Sequence, residues 1–236
     1  MKKLVIFDID GTLLHSNRAD SICFAKAFNT VFGFELPSLD WSYYPHTMDT
    51  AIVDALFKEA GRPHPSPEVL EDFKDYYVGQ LEAGRKDSPE DFMEVPGARQ
   101  LVERLVADDD YIVGIGTGGF RKPAFVKLRH VGIDTLDLYM AFADGNYSRE
   151  DMVNEVLGKV GKDYSKLERI VYVGDGLWDV RTTRNLNIPF IGLRHKNDHQ
   201  ILHDEGAKHV ITDYLDQEVF IELIEKAEVP ELFKNV

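Results

Sequence analysis

The sequence predicts an α/β fold: a doubly wound parallel sheet interrupted by an inserted all-helical subdomain. Three observations predict it. The chain opens on a short apolar run, Leu4-Val5-Ile6-Phe7, that stops at a carboxylate. Similar apolar runs recur from Val95 onward, each followed by a stretch with helical spacing. Between Leu14 and about Asp91 the spacing is helical throughout. Short apolar runs bounded by turn residues fit strands buried on both faces. Strands alternating with helices then imply a parallel sheet.

Residues 19–32 carry Ile22, Cys23, Ala25, Phe28, Val31 and Phe32 at near-3.6 spacing, stopped by Gly33. Residues 49–60 repeat this with Ile52, Val53, Leu56 and Phe57, ended by Gly61. Pro67 opens a third helix through Val69, Phe73, Tyr76, Tyr77 and Leu81, closed by Gly84. The insertion therefore reads as 17–88, and the α/β core as 1–16 and 89–236. The polar stretches 15–18 and 85–92 read as hinges. In the core, strands are expected at 111–116, 138–143, 169–173, 189–193 and 209–211. Helices are expected from Pro96-Gly97 to 107, then at 121–131, 149–160, 177–186, 197–204 and 217–227. No internal repeat or low-complexity segment appears.

At 236 residues, 44% hydrophobic and 29% charged, the chain suits a globular core with room for a modest insertion. Chains of this length bury roughly 70–75% of their unfolded surface, so the core needs no staples. A formal charge of −14, with no Lys/Arg-rich run, argues against nucleic acid and anionic membranes as partners. An anionic substrate stays open, because a local cation sets the field at a site. Cys23 is the only cysteine, which excludes an intrachain disulfide or a cysteine zinc cluster. It reads as a buried thiol in a reducing compartment. The apolar run that follows Lys2-Lys3 stops at Asp8, too early for a signal peptide. No stretch reaches the ~18 apolar residues of a membrane span. The expectation is a cytoplasmic protein; the oligomeric state stays open, a monomer included.

Buried parallel strands present their chemistry at their carboxyl ends. Asp8 falls at such an end. Side chains two apart on an extended chain point the same way, so Asp10 is expected to converge with it. At ~4 Å and an effective dielectric near 20 the two charges repel by roughly 4 kcal/mol. Either one carboxyl keeps its proton or a cation sits between them. Both outcomes suit an enzyme in which Asp8 attacks an electrophile and Asp10 protonates the leaving group. A pair of turn caps fits a lone Asp-x-Asp equally well.

Three later strand ends add to the set. Thr117-Gly118-Gly119 offers a hydroxyl and exposed backbone N–H groups, which suit a phosphoryl oxygen or an ordinary strand-to-helix turn. Arg149 opens a helix, where its charge opposes the dipole; that favours a specific job. Arg121 and Lys122 are rival cations. In Gly174-Asp175-Gly176-Leu177-Trp178-Asp179, Asp175 lies at a strand end and Asp179 one turn into a helix, facing the same crevice. These carboxylates together suggest Mg²⁺, a hard cation that takes oxygen ligands and substrate phosphates. Alone, Asp175 fits an N-cap equally well.

As an ensemble, Asp8-Ile9-Asp10-Gly11-Thr12-Leu13, Thr117 after a buried strand, and Gly174-Asp175-Gly176-Leu177-Trp178-Asp179 resemble three motifs of the haloacid dehalogenase (HAD) superfamily. The resemblance implies a Rossmann-like phosphohydrolase core. The helical insertion is similar to the family's helical-cap subgroup, which includes phosphoglycolate phosphatase and β-phosphoglucomutase. One departure is Ser148-Arg149-Glu150, where many relatives carry Lys-Pro; arginine keeps the charge but not the compact ammonium geometry. The resemblance implies Asp8 as the nucleophile and Asp10 as general acid, then base. It implies Mg²⁺ held by an Asp8 oxygen, the Asp10 backbone carbonyl and Asp175, with Asp179 as ligand or behind it. Thr117, Gly118 and Arg149 would hold phosphoryl oxygens. Relatives that cleave carbon–halogen bonds typically lack an aspartate at the Asp10 position, since a halide leaves without a proton.

The stretch 43–50 resembles the substrate loop of phosphoglycolate-phosphatase-like caps, making His46 and Thr47 candidates for reading the leaving group. An N-cap at Thr47 or Asp49 fits as well. His15, on the hinge, is a further candidate or a plain surface histidine. Trp41, Tyr43 and Tyr44 read as cap core. The resulting expectation is a Mg²⁺-dependent phosphatase acting on a small phosphorylated metabolite. A phosphomutase of the β-phosphoglucomutase kind is the alternative. A non-enzymatic phospho-acceptor module is the reading from another class, opposed by Asp10 and by the insertion.

Overall fold

The computed structural model describes residues 2–44, 46–161 and 167–232. Its organising strand is β1 (Lys3–Phe7), which sends Leu4 and Ile6 into one apolar cluster and Val5 and Phe7 into another. Burial on both faces is what a central parallel strand requires. β2 (Leu14–His15) and β3 (Met93–Glu94) follow, then β4 (Tyr111–Gly116), β5 (Tyr139–Ala141), β6 (Arg169–Gly174), β7 (Phe190–Leu193) and β8 (His209–Ile211). Six strands form one parallel sheet in the order β5–β4–β1–β6–β7–β8. The chain leaves β1 in one direction along the sheet and later returns to its other side. The carboxyl end of β1 is thereby the switch point where such sheets open a crevice.

The helices are α1 (Asn17–Phe32), α2 (Asp49–Glu59), α3 (Pro67–Asp87), α4 (Ala98–Ala107), α5 (Arg121–His130), α6 (Arg149–Val160), α7 (Leu177–Leu186), α8 (Gln200–Asp204) and α9 (Gln217–Lys226). α1 ends as expected at Gly33, whose φ of 76° is the left-handed conformation glycine adopts without strain. α3 does not end at Gly84. It runs on to Asp87: Gly84 is not among the glycines with positive φ, a glycine inside a helix is tolerated, and Arg85 and Lys86 suit the negative end of the helix dipole. The stretch 85–92 is therefore helical up to Asp87 and continues in a tight helical turn at Pro89–Phe92.

The helical stretch from α1 to α3 leaves and re-enters through β2 and β3, which pair antiparallel with Leu14 opposite Glu94 and His15 opposite Met93. Neither two-residue strand is legible from periodicity. The aromatic centre of the helical stretch, Phe24, Phe28, Phe73 and Tyr77, is continuous with the apolar cluster that receives Leu4 and Ile6. Cys23 is buried in this cluster, as expected. Trp41 packs edge-on against Phe24 at 5.4 Å and Tyr44 is buried, but Tyr43 is 57% exposed and belongs to no core. Among the described residues no helix is long and apolar enough to cross a membrane.

Candidate active site

Asp8 directly follows β1. Its backbone N–H continues the ladder by donating to the Val173 carbonyl at 2.9 Å, and its Oδ1 accepts from the Ile9 N–H at 2.8 Å. These bonds point Oδ2 at Arg149, whose Nη2 donates to it at 3.0 Å. Burial raises the Asp8 carboxyl to about 7, against the opposing pull of Arg149.

Asp10 meets a different cation. Lys127 Nζ donates to its Oδ2 at 2.6 Å and Ser16 Oγ to its Oδ1 at 2.5 Å. The two side chains line the same small cavity but bond to different cations. β1 ends at Phe7 and the chain then turns around Gly11, with φ at 75°, so the two-residue alternation of a strand no longer applies.

Arg149 opens α6, whose N-terminus is capped by Ser148 accepting from the Asp151 N–H. The guanidinium is buried. Its Nη2 reaches Asp8 at 3.0 Å, Asp179 Oδ1 at 2.6 Å and the Tyr172 hydroxyl at 3.0 Å. Burial opposes its charge, but Asp179 and Asp8 hold it firmly protonated. The rival cations lie elsewhere: Lys122 pairs at the surface with Glu71 and Asp75, and Arg121 lies over the rings of Phe125 and Phe142.

The β6–α7 turn brings in Asp175 and Asp179. Asp8, Asp175 and Asp179 each offer an oxygen, all within 4.8 Å of one another. Asp175 Oδ2 accepts from Asn17 Nδ2 at 2.9 Å, whereas its Oδ1 is buried without a partner among the described residues. Burial, then Asp179 and Asp8, push the Asp175 carboxyl well above its ordinary range. Gly11 makes the close approach possible: a Cβ there would stand 2.0 Å from Asp175 Oδ2. Three crowded carboxylates with an orphaned buried oxygen fit a hard divalent cation.

Thr117 and Gly118 follow β4 beside this group. Gly118 has no room for a side chain: a Cβ would meet the Thr47 carbonyl at 2.2 Å and Arg149 Nη1 at 2.7 Å. The Thr47 carbonyl accepts from Arg149 Nη1 at 3.4 Å, the Asp49 N–H donates to the Gly118 carbonyl at 2.8 Å, and Thr50 Oγ1 donates to the Ala143 carbonyl at 2.5 Å. The start of α2 is thus clasped onto the ends of β4 and β5. Asp8, Asp10, Thr117, Gly118, Arg149 and Thr47 all line one cavity of about 60 Å³. Larger hollows exist, one of about 720 Å³ beside Tyr111 and Leu138, but it holds none of these residues.

His46 is exposed and does not line that cavity. Its neighbour Pro45 lies outside the described residues. His15 faces a second cavity of about 350 Å³, where its ring stands 4.0 Å from that of His195. Burial, with His195 and Lys196 adding to it, lowers His15 to about 4. A histidine lowered on folding contributes stability above its unfolded value near 6.5, and this is lost as the pH falls toward 4. His15→Asn is therefore expected to gain relative to wild type between pH 7 and pH 4.5 in urea denaturation. A stability difference independent of pH would refute this.

Sequence reasoning missed Lys127. It is fully buried on α5, bridging Asp10 and, at 2.5 Å, Asp20 of α1. Burial opposes its charge, yet Asp10 and Asp20 hold the ammonium above its ordinary range. Tyr77 donates to Asp20 from α3. One signal was present: Ala124, Lys127, Leu128 and Val131 share a helix face, and a lysine on an apolar stripe must find partners. Asp20, between Ala19 and Phe24, carries the same signal on α1.

The family model described as haloacid dehalogenase-like hydrolase matches residues 5–193. A search of curated proteins finds no match. Among solved structures, a hydrolase from Pseudomonas syringae aligns with a TM-score of 0.68 at 22% identity, covering 93% of this chain and 98% of that one. A predicted phosphoglycolate phosphatase from Haemophilus somnus aligns with a TM-score of 0.59 at 20% identity, covering 93% and 98%. CbbY from Rhodobacter sphaeroides, bound to xylulose-1,5-bisphosphate, aligns with a TM-score of 0.64 at 16% identity, covering 92% and 96%. At these identities the neighbours speak to the fold, whereas the family model spans most of the chain and takes in the Asp8, Thr117, Arg149 and Asp175 stretches: the protein belongs to the haloacid dehalogenase-like hydrolases.

Proposed function

We propose that this hydrolase is a Mg²⁺-dependent phosphatase that cleaves a small phosphorylated metabolite through an aspartyl-phosphate on Asp8. The observation that carries the proposal is the buried Asp8–Arg149 contact at 3.0 Å, beside an Asp175 oxygen that has no partner among the described residues. Phosphoryl transfer needs positioning and charge neutralisation more than elaborate covalent chemistry.

In this reading an Asp8 oxygen attacks phosphorus and the bond to the ester oxygen breaks. Asp10 gives the departing alkoxide its proton, then takes one from the water that attacks phosphorus and frees Asp8. Arg149, held by Asp179 and Tyr172, and Thr117 with the Gly118 and Gly119 amides bind the equatorial oxygens. Asp8, Asp175 and Asp179, with the Asp10 carbonyl, would hold Mg²⁺, which neutralises charge on the phosphoryl group when bound. Residues 17–88 act as a cap over the crevice, excluding water while Thr47 and Asp49 reach the strand ends.

The second reading, a phosphomutase, draws on neighbours described as β-phosphoglucomutases and on the sugar bisphosphate complex of CbbY. Purified protein with Mg²⁺ is expected to release inorganic phosphate from short-chain phosphomonoesters. Conversion of a hexose 1-phosphate to the 6-phosphate without phosphate release would favour the mutase instead.

A further inference from the structure

Each carboxylate of the Asp8, Asp175 and Asp179 trio is oriented by hydrogen bonds. Asp8 accepts from the Ile9 N–H through Oδ1 and from Arg149 through Oδ2. Asp179 accepts from Arg149 through Oδ1 and from the Gly176 N–H, at 2.9 Å, through Oδ2. Asp175 Oδ2 accepts from Asn17 Nδ2, also at 2.9 Å. Five of the six oxygens are therefore engaged, and the sixth is Asp175 Oδ1, buried without a partner among the described residues. Four of the five bonds come from Arg149 or from backbone close in sequence to the carboxylate it holds. Asn17 is different: it opens α1, 158 positions from Asp175. The pair packs on the Gly11 backbone, where a Cβ would stand 2.4 Å from Asp175 Cγ and 2.8 Å from Asn17 Nδ2.

We infer that Asn17 is a positioning residue for the metal: by holding Oδ2 it makes Asp175 a one-oxygen ligand through Oδ1, and so biases the site toward Mg²⁺ over Ca²⁺. The inference rests on the Mg²⁺ reading above. An ionised carboxylate oxygen only accepts, so the Asn17 amide presents its N–H to Oδ2 and leaves Oδ1 for the cation. Mg²⁺ is small and demands near-ideal octahedral geometry, which the narrow bite of a two-oxygen carboxylate does not fit. Ca²⁺ takes about six to eight oxygens in a flexible shell and accepts carboxylates through one oxygen or both. Asp8 and Asp179 have both oxygens tied to Arg149 or to backbone. Asp175 is the member of the trio whose freedom to turn a second oxygen inward depends on one side-chain amide.

Thermal-shift titrations with Mg²⁺ and with Ca²⁺ test this without turnover. Wild type is expected to bind Mg²⁺ about tenfold more tightly than Ca²⁺, or better. Asn17→Ala removes the donor, and its dissociation constant for Mg²⁺ should rise by about tenfold, as is typical when a partner of a metal ligand is lost. The constant for Ca²⁺ should stay the same or fall, so the preference collapses. A residue needed only for packing would lower the midpoint in a chelator and leave the ratio of the two constants as in wild type. An unchanged ratio in Asn17→Ala would therefore overturn the inference. So would a wild-type protein that binds Ca²⁺ as tightly as Mg²⁺, a result that does not depend on how well the variant folds. A wild-type midpoint that responds to neither ion would instead overturn the Mg²⁺ reading itself.

Discussion

Replacing Asp8 by asparagine is expected to reduce phosphate release by about 10⁴-fold or more, roughly 5 kcal/mol of barrier, while the fold survives. Asparagine has the shape of aspartate but no anionic oxygen to attack phosphorus. The fold should tolerate it because the carboxylate is a burden to the metal-free protein. Burial lifts the Asp8 carboxyl to about 7, so the folded state holds that proton more tightly than the unfolded state does. Stability contributed this way is present at low pH and is lost as the pH rises from the unfolded value near 4 toward 7. The amide of an Asp8→Asn variant does not ionise as the pH climbs, and Arg149 keeps its bonds to Asp179 and Tyr172. In a chelator, the variant's thermal midpoint is expected to match or exceed wild type, with a larger gain at pH 8 than at pH 5. A variant with full turnover would remove Asp8 from the mechanism; one that fails to fold would show that its charge holds the site together.

Magnesium is expected to be the second large lever. Chelation should abolish phosphate release, and Mg²⁺ should raise the thermal midpoint even without substrate. At a free concentration about 100 times the dissociation constant, binding to the folded state alone adds about 2.7 kcal/mol. For a chain of this size that corresponds to a shift of about 5–10 °C. The buried Asp175 Oδ1, without a partner among the described residues, is the atom on which this depends most directly. Asp175→Asn should therefore erase the Mg²⁺-induced shift as well as the activity. Differential scanning fluorimetry with and without Mg²⁺ reads the shift independently of turnover. A wild-type midpoint indifferent to Mg²⁺, or an Asp175→Asn variant that still responds to it, would count against a metal held by this trio.

Much of the architecture was legible because burial on two faces leaves a local trace. The runs at Tyr111–Gly116 and His209–Ile211 are strands, and Arg149–Val160 and Leu177–Leu186 are helices, with the bounds that apolar spacing implied. Caps and breakers were less dependable. Gly33 ends α1 by taking the left-handed conformation, whereas Gly84, which is not among the positive-φ glycines, sits inside α3. The antiparallel pair of β2 and β3 left no trace, since two residues carry no period and their pairing spans about eighty positions.

The candidate site divides along the same line. By itself the sequence determined that Asp8, Thr117, Arg149 and Asp175 stand at the ends of neighbouring parallel strands, because strand direction and alternation are local properties and parallel sheets gather such ends at one edge. Only the tertiary structure decided which cation meets which carboxylate: Arg149 with Asp8 and Asp179, Lys127 with Asp10 and Asp20, and neither Lys122 nor Arg121 with any of these four. It also turned His15 toward His195 and brought Asp20 and Asp49 onto the wall of the cavity. The ion pairs join residues up to 141 positions apart. They follow from how the helical stretch settles on the sheet, where a buried charge costs least beside an opposite one, and no periodicity along the chain records the outcome.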